Sequence, residues 1–358
     1  MNAKPILAVL VTLALSIAQP MTAMAQGFAG LGSTANGFAI PRRDSPIQFP
    51  ADHGAHTDYR IEWWYVTANL TGEDGAQYGV QWTLFRSALA PKSEEGWSDP
   101  QLWMGHAALT TKDQHLVAEK LARGGIGQAG VDVAPFSAWI DDWQLNGMAP
   151  SGGDPLDDVS LHATGKGFSY TLAMSAKGPL VLQGDHGFSV KSAQGQASYY
   201  YSQPFYEVTG SLNIGARTIR VHGKAWLDRE WSSQPLAKDQ TGWDWFSLHL
   251  DSGEKLMAFR LRDSGEGYTS ATWIAADGTP TSLPPGSVEM SPVRSAHVGD
   301  RDIPVAWRVQ IPERAFDVTT TPLNDQSWMA TRTPYWEGPI TFDGSSTGEG
   351  YLEMTGYE

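Results

Sequence analysis

The chain of 358 residues contains no cysteine, so disulfide bonds and a lipid anchor on a cysteine are excluded. Charged residues are also few, at 18%, and the formal net charge is −14 at pH 7. Because phosphate binding needs a basic face, nucleic acid is not an expected partner. The 41% share of hydrophobic residues indicates a folded chain that is stabilised by core packing.

Long apolar runs are missing beyond the N-terminus. There, Lys4 precedes an apolar run over residues 5–18 and the small-residue sequence Ala23-Met24-Ala25. This pattern predicts a secretory signal peptide over residues 1–25. The run is shorter than the roughly 20 residues that a membrane helix needs, and no later segment reaches that length without charges. We therefore expect a protein secreted into the bacterial periplasm, with no membrane span after cleavage.

The dominant hydrophobic periodicity is two, and the separators are Gly, Pro, Asn and Asp. This pattern predicts an all-β fold of short antiparallel strands joined by tight turns. Residues 61–70 and 77–86 predict one hairpin, and residues 243–250 and 255–262 predict another. Strands with one apolar and one polar face close naturally into barrels, because closure removes exposed edges.

The length predicts roughly two domains. We expect a lead-in coil over residues 26–50, an N-terminal domain over 51–232 and a C-terminal domain over 233–358. Residues 277–304, with prolines at 280, 284, 285 and 292, are predicted to form a loop inside the second domain.

Tryptophan is abundant by contrast, with 15 residues, and many of them adjoin a carboxylate. A carboxyl group packed against indole rings loses water, which favours its neutral form and makes it a candidate proton donor. Aromatic faces also bind apolar ligands and stabilise cations. The pattern predicts acids that line an aromatic cavity. The alternative is that the tryptophans form the barrel cores while the acids face solvent. The segments are Glu62-Trp63-Trp64-Tyr65, Asp141-Asp142-Trp143, Asp228-Arg229-Glu230-Trp231, Trp243-Asp244-Trp245-Phe246 and Tyr335-Trp336-Glu337.

Strand alternation places Glu62 and Asp244 on the more apolar faces of their strands, which a merely solvated acid would avoid. Residues 221–236 are the densest in polar groups. Either they form a bridging strand in which Arg229 neutralises a neighbouring acid, or Asp228 and Glu230 form a pair of carboxyl groups at a cavity mouth, one protonated and one charged. His106 is either a hydrogen-bonded core residue or a proton shuttle. The candidate catalytic residues are Asp228, Glu230, His106 and Asp244. The candidate ligand-binding residues are Glu62, Trp64, Tyr65, Trp82, Arg229, Trp231, Trp243, Trp245, Tyr335 and Trp336.

Signatures of phosphate-binding glycine loops and of His-Glu-x-x-His metal sites are missing from the sequence. His53 and His56 could supply two metal ligands, but they lie in predicted coil and no thiol third ligand adjoins them. We therefore expect no metal and no cofactor.

Five ordered blocks carry a family resemblance. They are residues 62–70 (EWWYVTANL), 105–108 (GHAA), 200–204 (YYSQP), 228–231 (DREW) and 242–246 (GWDWF). Together they resemble the carotenoid 1,2-hydratase and AttH-like family. The resemblance implies two lipocalin-like antiparallel β-barrel domains in tandem and a secreted bacterial protein, often associated with export-type ABC transporters. In the hydratase branch a histidine stands where this chain has Arg229, so the resemblance is closer to the AttH-like branch.

Two functions of different classes compete. The first is a periplasmic carrier that binds an isoprenoid or lipid-like ligand in the aromatic cavity, with an ABC transporter permease as a partner. The second is a cofactor-free hydratase, in which Asp228 protonates an alkene, Glu230 or His106 handles water, and the aromatic rings stabilise the cation. A third reading is a secreted hydrolase, and the missing nucleophile elbow and metal motif count against it.

Overall fold

The structure is a computed structural model, and it describes residue 31, residues 35–148 and residues 153–357. The predicted signal peptide over residues 1–25 lies outside the described residues. Helix is confined, among the described residues, to the short 3-10 turns Ala51–His53, Gly96–Ser98 and Pro312–Arg314. None of the described helices is long and apolar enough to cross a membrane.

The described strands form two antiparallel sheets, so the predicted all-β class is confirmed. The thirteen strands of the first sheet are β1 (Ile61–Gly72), β2 (Gln77–Ala88), β3 (Gln101–Thr110), β4 (His115–Arg123), β5 (Ala129–Val133), β6 (Phe136–Ile140), β7 (Trp143–Gly147), β8 (Asp158–Gly165), β9 (Phe168–Ala176), β10 (Val181–Leu182), β11 (Phe188–Val190), β12 (Ala197–Ile214) and β13 (Arg217–Ser232). The ten strands of the second sheet are β14 (Gly242–Leu250), β15 (Lys255–Arg262), β16 (Tyr268–Ile274), β17 (Pro280–Leu283), β18 (Glu289–Val298), β19 (Arg301–Ile311), β20 (Phe316–Pro322), β21 (Trp328–Met329), β22 (Tyr335–Gly344) and β23 (Gly348–Thr355).

Each sheet curls into a barrel or half-barrel of the lipocalin type. The first sheet has the order β4-β3-β2-β1-β13-β12-β9-β8-β7-β6-β5, and β4 at one end packs against β6 and β8 near the other end. The second has the order β17-β16-β15-β14-β23-β22-β20-β19-β18. A separate hydrophobic core fills each of the two curled sheets.

Both predicted hairpins are confirmed, as the pairs β1/β2 and β14/β15. The two hairpins occupy equivalent positions in their sheets. Strand β1 also pairs with β13, the last strand of the first sheet, and β14 also pairs with β23, the last strand of the second. The first and last strands of each sheet therefore lie side by side.

The loop predicted over residues 277–304 is wrong, because β17 and β18 lie within it. Both are edge strands of the second sheet. A proline in an edge strand costs no ladder hydrogen bond when its nitrogen faces away from the sheet, so Pro280 and Pro292 are tolerated there. The register of β18 shifts directly after Pro292.

The two barrels pack against each other through the strands that close them. Alternation points Trp64 of β1 into the first barrel, whereas Tyr65 points towards the second. The cluster between the sheets takes side chains from β1, β12 and β13 on one side and from β14, β15 and β23 on the other, among them Tyr65, Tyr200, Trp226, Trp245, Phe259 and Tyr351. This cluster is a third core, which the two barrels share. Fully burying one large apolar side chain contributes roughly 1.5–3 kcal/mol, so the interface adds to the stability of both barrels.

Candidate functional site

A cleft lies between the two sheets and consists of two adjoining pockets, with volumes of about 110 and 300 Å³. We call the smaller one the acid pocket and the larger one the outer pocket. They share walls, among them Phe85, Trp243 and Glu353. The outer pocket alone reaches the lower end of the volumes that hold small ligands, roughly 300 Å³.

Residues two apart on neighbouring strands form the walls of the acid pocket, as strand alternation requires. The first sheet contributes side chains from β1, β2, β12 and β13, and the second contributes them from β14, β15 and β23. The aromatic and carboxyl residues of this wall are Trp63, Tyr65, Phe85, Tyr200, Asp228, Glu230, Trp243, Trp245, Phe259 and Glu353.

Asp228 is a buried carboxyl group with three neutral donors. It accepts hydrogen bonds from the hydroxyls of Tyr200 at 2.6 Å and Ser202 at 2.5 Å, and from the indole N–H of Trp226 at 2.6 Å. Burial raises the pKa of Asp228 to about 7, although these three donors oppose the change. Asp228 therefore retains its proton to a much higher pH than an exposed aspartate does, and it can act as an acid near neutral pH.

Glu353 reaches the same pocket from the second sheet. Its Oε1 accepts a hydrogen bond from the indole N–H of Trp243 at 2.6 Å. Burial, helped by the nearby charges of Asp228 and Glu230, raises the pKa of Glu353 to about 7, although the hydrogen bond from Trp243 opposes the rise. The acid pocket thus holds two carboxyl groups, Asp228 and Glu353, whose pKa values allow them to give or take a proton near neutral pH.

Glu230 lines the acid pocket as one member of an ion pair. Its Oε1 lies 2.9 Å from Nζ of Lys191, and both side chains are only 7% exposed. The ammonium of Lys191 also lies over the rings of Tyr200 and Phe259, at 4.8 and 4.3 Å from their centroids. The Glu230–Lys191 ion pair therefore lies beside Asp228 and Glu353, whose hydrogen bonds come from neutral donors.

The outer pocket is lined by His106 and Tyr335. Nδ1 of His106 lies 3.0 Å from the hydroxyl of Tyr335, and its Nε2 lies 3.4 Å from Oε1 of Glu119. Burial lowers the pKa of His106, although hydrogen bonding to Glu119 opposes this. Behind the pocket wall, the hydroxyl of Tyr65 donates a hydrogen bond to Glu337.

The structure brings seven of the predicted site residues to the cleft and leaves the others in the barrel interiors. The seven are Tyr65, His106, Asp228, Glu230, Trp243, Trp245 and Tyr335. The tryptophans Trp64, Trp82 and Trp231 lie in the core of the first barrel, and Trp336 lies in that of the second. Consecutive strand residues point to opposite faces, so an acid and its chain-neighbouring tryptophan cannot line the same wall.

Glu62 and Arg229 form a buried ion network inside the first barrel instead of lining the cleft. Glu62 is paired with both Arg86 and Arg229, and the Arg229 guanidinium lies 3.8 Å from the ring centroid of Trp64. Burial alone would raise the pKa of Glu62, but the two guanidinium groups hold it well below its usual range. The expectation that Glu62 lines the aromatic cavity is therefore corrected.

Asp244 is corrected in the same way. It points into the second barrel, where it is paired with Arg262 and accepts a hydrogen bond from the hydroxyl of Tyr357 at 2.9 Å. Burial raises its pKa to about 6, and the charge of Arg262 opposes the rise. Asp244 is an acid of the barrel interior, whereas its neighbours Trp243 and Trp245 face the cleft.

The two histidines considered as metal ligands have side-chain partners. His53 contacts the hydroxyl of Tyr201 at 2.6 Å and Asp154 at 3.1 Å, and His56 stacks on Trp231 at 4.1 Å between ring centroids. Across the part of the chain that the structure describes, no group of three or more His, Asp and Glu side chains is placed to hold a metal ion.

Sequence reasoning missed Glu353, Lys191, Phe259 and the role of Tyr200 in the pocket wall. Glu353 has no tryptophan beside it in the chain, so the pattern of adjacent Trp and acid residues does not include it. A usable signal was present, because Tyr351 and Glu353 alternate with Leu352 and Met354 along β23. That pattern places an acid on the face opposite to an apolar pair.

A family model and one solved structure show the family of this chain. The AttH-like family model matches residues 40–357. The fold is similar to that of a candidate AttH from Nitrosomonas europaea, with 35% identity, a TM-score of 0.79, and coverage of 90% of this chain and 100% of that chain. It is also similar to kievitone hydratase from Nectria haematococca, with a TM-score of 0.67 and 15% identity over 89% of this chain and 98% of that one, which shows a shared fold. No curated protein matches the chain. The chain therefore belongs to the AttH-like family.

Proposed function

We propose that the cleft is the active site of a cofactor-free hydro-lyase that adds water to a carbon–carbon double bond of an apolar, isoprenoid-type substrate. One observation carries the proposal. Asp228 and Glu353 come from different sheets, face the same aromatic pocket, and accept their hydrogen bonds from neutral donors. Hydration of an alkene needs such a pair, because one group must give a proton and another must take one.

The first step assigns Asp228 as the acid. Its proton forms a C–H bond with one alkene carbon, using the π electrons, and leaves a cation on the more substituted carbon. The walls from Trp63, Trp243 and Trp245 present aromatic faces that stabilise such a cation. A pKa of about 7 suits this step, since the acid is then both protonated and able to give up its proton near neutral pH.

The second step needs a group that orients water. The carboxylate of Glu230 can hold a water molecule, because the ammonium of Lys191 keeps that carboxylate in place at 2.9 Å. The water oxygen forms the C–O bond with the cation, and its released proton passes to Glu353. In the reverse direction Glu353 protonates the alcohol oxygen, the C–O bond breaks to release water, and Asp228 takes the proton from the adjacent carbon as the double bond forms. The same residues therefore serve dehydration.

A carrier is the second candidate function, and the apolar part of the cleft favours it. Leu31, Ile61, Leu236 and Leu261 complete the walls of the acid pocket, and an apolar ligand needs no acid to bind there. In this role a periplasmic protein holds an isoprenoid or lipid-like ligand for an ABC export permease. Two acids buried without a cation lower stability at neutral pH, and a carrier gains nothing from that cost.

The experiment is incubation with a panel of isoprenoid alkenes in water enriched in oxygen-18, followed by mass spectrometry of the extracted products. We expect labelled alcohol from the wild type. In Asp228→Asn we expect roughly 10²–10⁴-fold slower formation, because general acid catalysis contributes about that much. The exposed Asp113→Asn is the matched control and is expected to behave as the wild type. A substrate that binds and returns unlabelled from every variant contradicts the hydro-lyase and supports the carrier.

A further inference from the structure

Resting on the proposed function, we infer that five side chains form a proton relay between the cleft and solvent: Tyr65, Glu337, Tyr335, His106 and Glu119. Hydration leaves Asp228 without its proton and releases a proton from water at another place. A path to solvent returns both groups to their starting state after each turnover. The relay residues are positioning residues of the reaction, since they act through Asp228 and Glu353.

Sheet register builds the first half of this path. Asp228, Tyr65, Thr83, His106 and Glu119 are successive cross-strand neighbours on β13, β1, β2, β3 and β4. Strand β4 is an edge of the first sheet. A row of polar side chains therefore runs across one face of the sheet, from the acid pocket to the sheet edge.

The second sheet supplies the carboxyl group that bridges the row. Glu337 of β22 is the cross-strand neighbour of Glu353 on β23, so it lies beside the acid pocket but behind its wall. Its side chain is only 1% exposed. Burial raises its pKa well above the usual range, and the charge of Glu353 adds to this. A buried carboxyl that keeps its proton can both accept and donate a hydrogen bond.

The side-chain contacts of the relay lead from the cleft towards solvent. Tyr65 donates to Oε1 of Glu337, and Oε2 of Glu337 is buried without a hydrogen-bond partner. Tyr335 and Glu337 are two residues apart on β22, so their side chains lie side by side on one face of the strand. The hydroxyl of Tyr335 lies 3.0 Å from Nδ1 of His106. Nε2 of His106 lies 3.4 Å from Glu119, whose side chain is 21% exposed. The path therefore begins at the cleft and ends at a solvent-accessible carboxylate.

The contacts around the His106 ring are consistent with a neutral imidazole. Because burial lowers its pKa, the ring carries one N–H and one acceptor nitrogen. Nδ1 then accepts from Tyr335, and Nε2 carries the N–H, which lies buried 3.4 Å from Oε1 of Glu119 without a hydrogen bond of good geometry. The Glu119 carboxylate has a lowered pKa, chiefly through its interaction with the His106 ring.

A proton leaves the cleft by successive hops, each of which forms one O–H or N–H bond and breaks another. Tyr65 takes up a proton and passes its own to Glu337. Glu337 passes one to Tyr335, Tyr335 passes one to Nδ1 of His106, and the Nε2 proton of His106 moves to Glu119. The reverse sequence delivers a proton to the cleft. Other titratable groups that face Glu337 are Tyr170, Tyr351 and Glu353.

A structural role is the competing explanation, because the same contacts join the two barrels. The test therefore follows the proton itself. The infrared carboxyl band that disappears in Glu337→Gln belongs to the protonated Glu337, and its shift after transfer to D₂O gives the exchange rate. We expect Tyr335→Phe and His106→Phe to slow this exchange about tenfold or more, since exchange then depends on local opening of the fold.

Tyr351→Phe is the matched control. Tyr351 faces Glu337 and its hydroxyl is buried without a hydrogen-bond partner, yet it stands outside the relay. We expect an unchanged exchange rate in this variant. Equal exchange in wild type and Tyr335→Phe overturns the relay, as does a spectrum in which Glu337→Gln removes no protonated carboxyl band.

Turnover provides the link to the proposed function. We expect His106→Ala to form labelled alcohol more slowly and to recover when imidazole is added, which a merely structural role of His106 does not predict. Slow exchange in Tyr335→Phe without any turnover in the wild type keeps the relay and rejects the hydro-lyase. Turnover in the wild type together with an unchanged exchange rate in Tyr335→Phe keeps the hydro-lyase and rejects the relay. The two failures are therefore distinguishable.

Discussion

Trp243 donates its indole N–H to Glu353 across two neighbouring strands, with 2.6 Å between Nε1 and Oε1. The two residues are 110 positions apart in the chain. Asp244, the immediate neighbour of Trp243, points the other way and pairs with Arg262 inside the second barrel. The contact between tryptophan and acid in the cleft is therefore made across the sheet and not along the strand.

Removal of this one donor is expected to raise the pKa of Glu353. In Trp243→Phe the aromatic wall remains, but the hydrogen bond that opposes the effect of burial is lost. Titration of carbon-13-labelled glutamate side chains by NMR measures the change from the wild-type value of about 7. Trp245→Phe is the control, because the Trp245 indole donates to the Tyr200 hydroxyl. A lower pKa in Trp243→Phe contradicts this account.

The hairpins, the faces of β1, β13 and β14, and the all-β class were predictable because period-two alternation is a property of the backbone itself. The faces of Asp228 and Glu230 followed from that geometry alone. Family resemblance supplied the lipocalin-like barrels. Edge strands with prolines were missed, since sequence does not show which strand has an unpaired side.

Partners across strands and between sheets were not predictable. Whether an acid on an apolar face meets a cation depends on the register of neighbouring strands, so Glu62 with its two arginines and Asp228 with its neutral donors read alike in the sequence. Glu353 was missed for the same reason, because its tryptophan lies on another strand. The relation of the two barrels decides which acids face each other, and no local pattern encodes it.

The aromatic wall is expected to act on the reaction more than on binding. Trp63 lines the acid pocket, and Trp63→Leu keeps an apolar surface but removes the ring that would stabilise a cation. We expect kcat to fall about 5- to 30-fold, from roughly 1–2 kcal/mol of lost cation–π stabilisation, with a smaller change in KM. The kcat of Trp63→Phe is expected to lie between those of the wild type and Trp63→Leu. Steady-state kinetics measure both quantities, and the exposed Trp97→Leu serves as control.

Stability is expected to fall as the pH rises through the window set by the two cleft acids. The pKa of Asp228 is about 7 when folded and 3.8 ordinarily, and that of Glu353 is about 7 against 4.5. Between these values the folded state holds protons that the unfolded state has lost, so each acid removes roughly 1.4 kcal/mol of unfolding free energy per pH unit. Urea unfolding at a series of pH values checks this. Asp228→Asn should have the shallower slope, and an equal slope would contradict the account.

The buried ion network of the first barrel is expected to be the costliest one to break. Glu62→Gln leaves Arg86 and Arg229 facing each other without their shared carboxylate, in a site where all three side chains are fully buried. Loss of one partner from a buried pair costs about 3–5 kcal/mol, because the remaining charges stay uncompensated. Urea unfolding measures the loss. The matched control is Asp317→Asn, which breaks the half-exposed pair with Arg308 and is expected to cost less than about 1 kcal/mol. Equal losses in the two variants would show that burial does not set the strength of the Glu62 network.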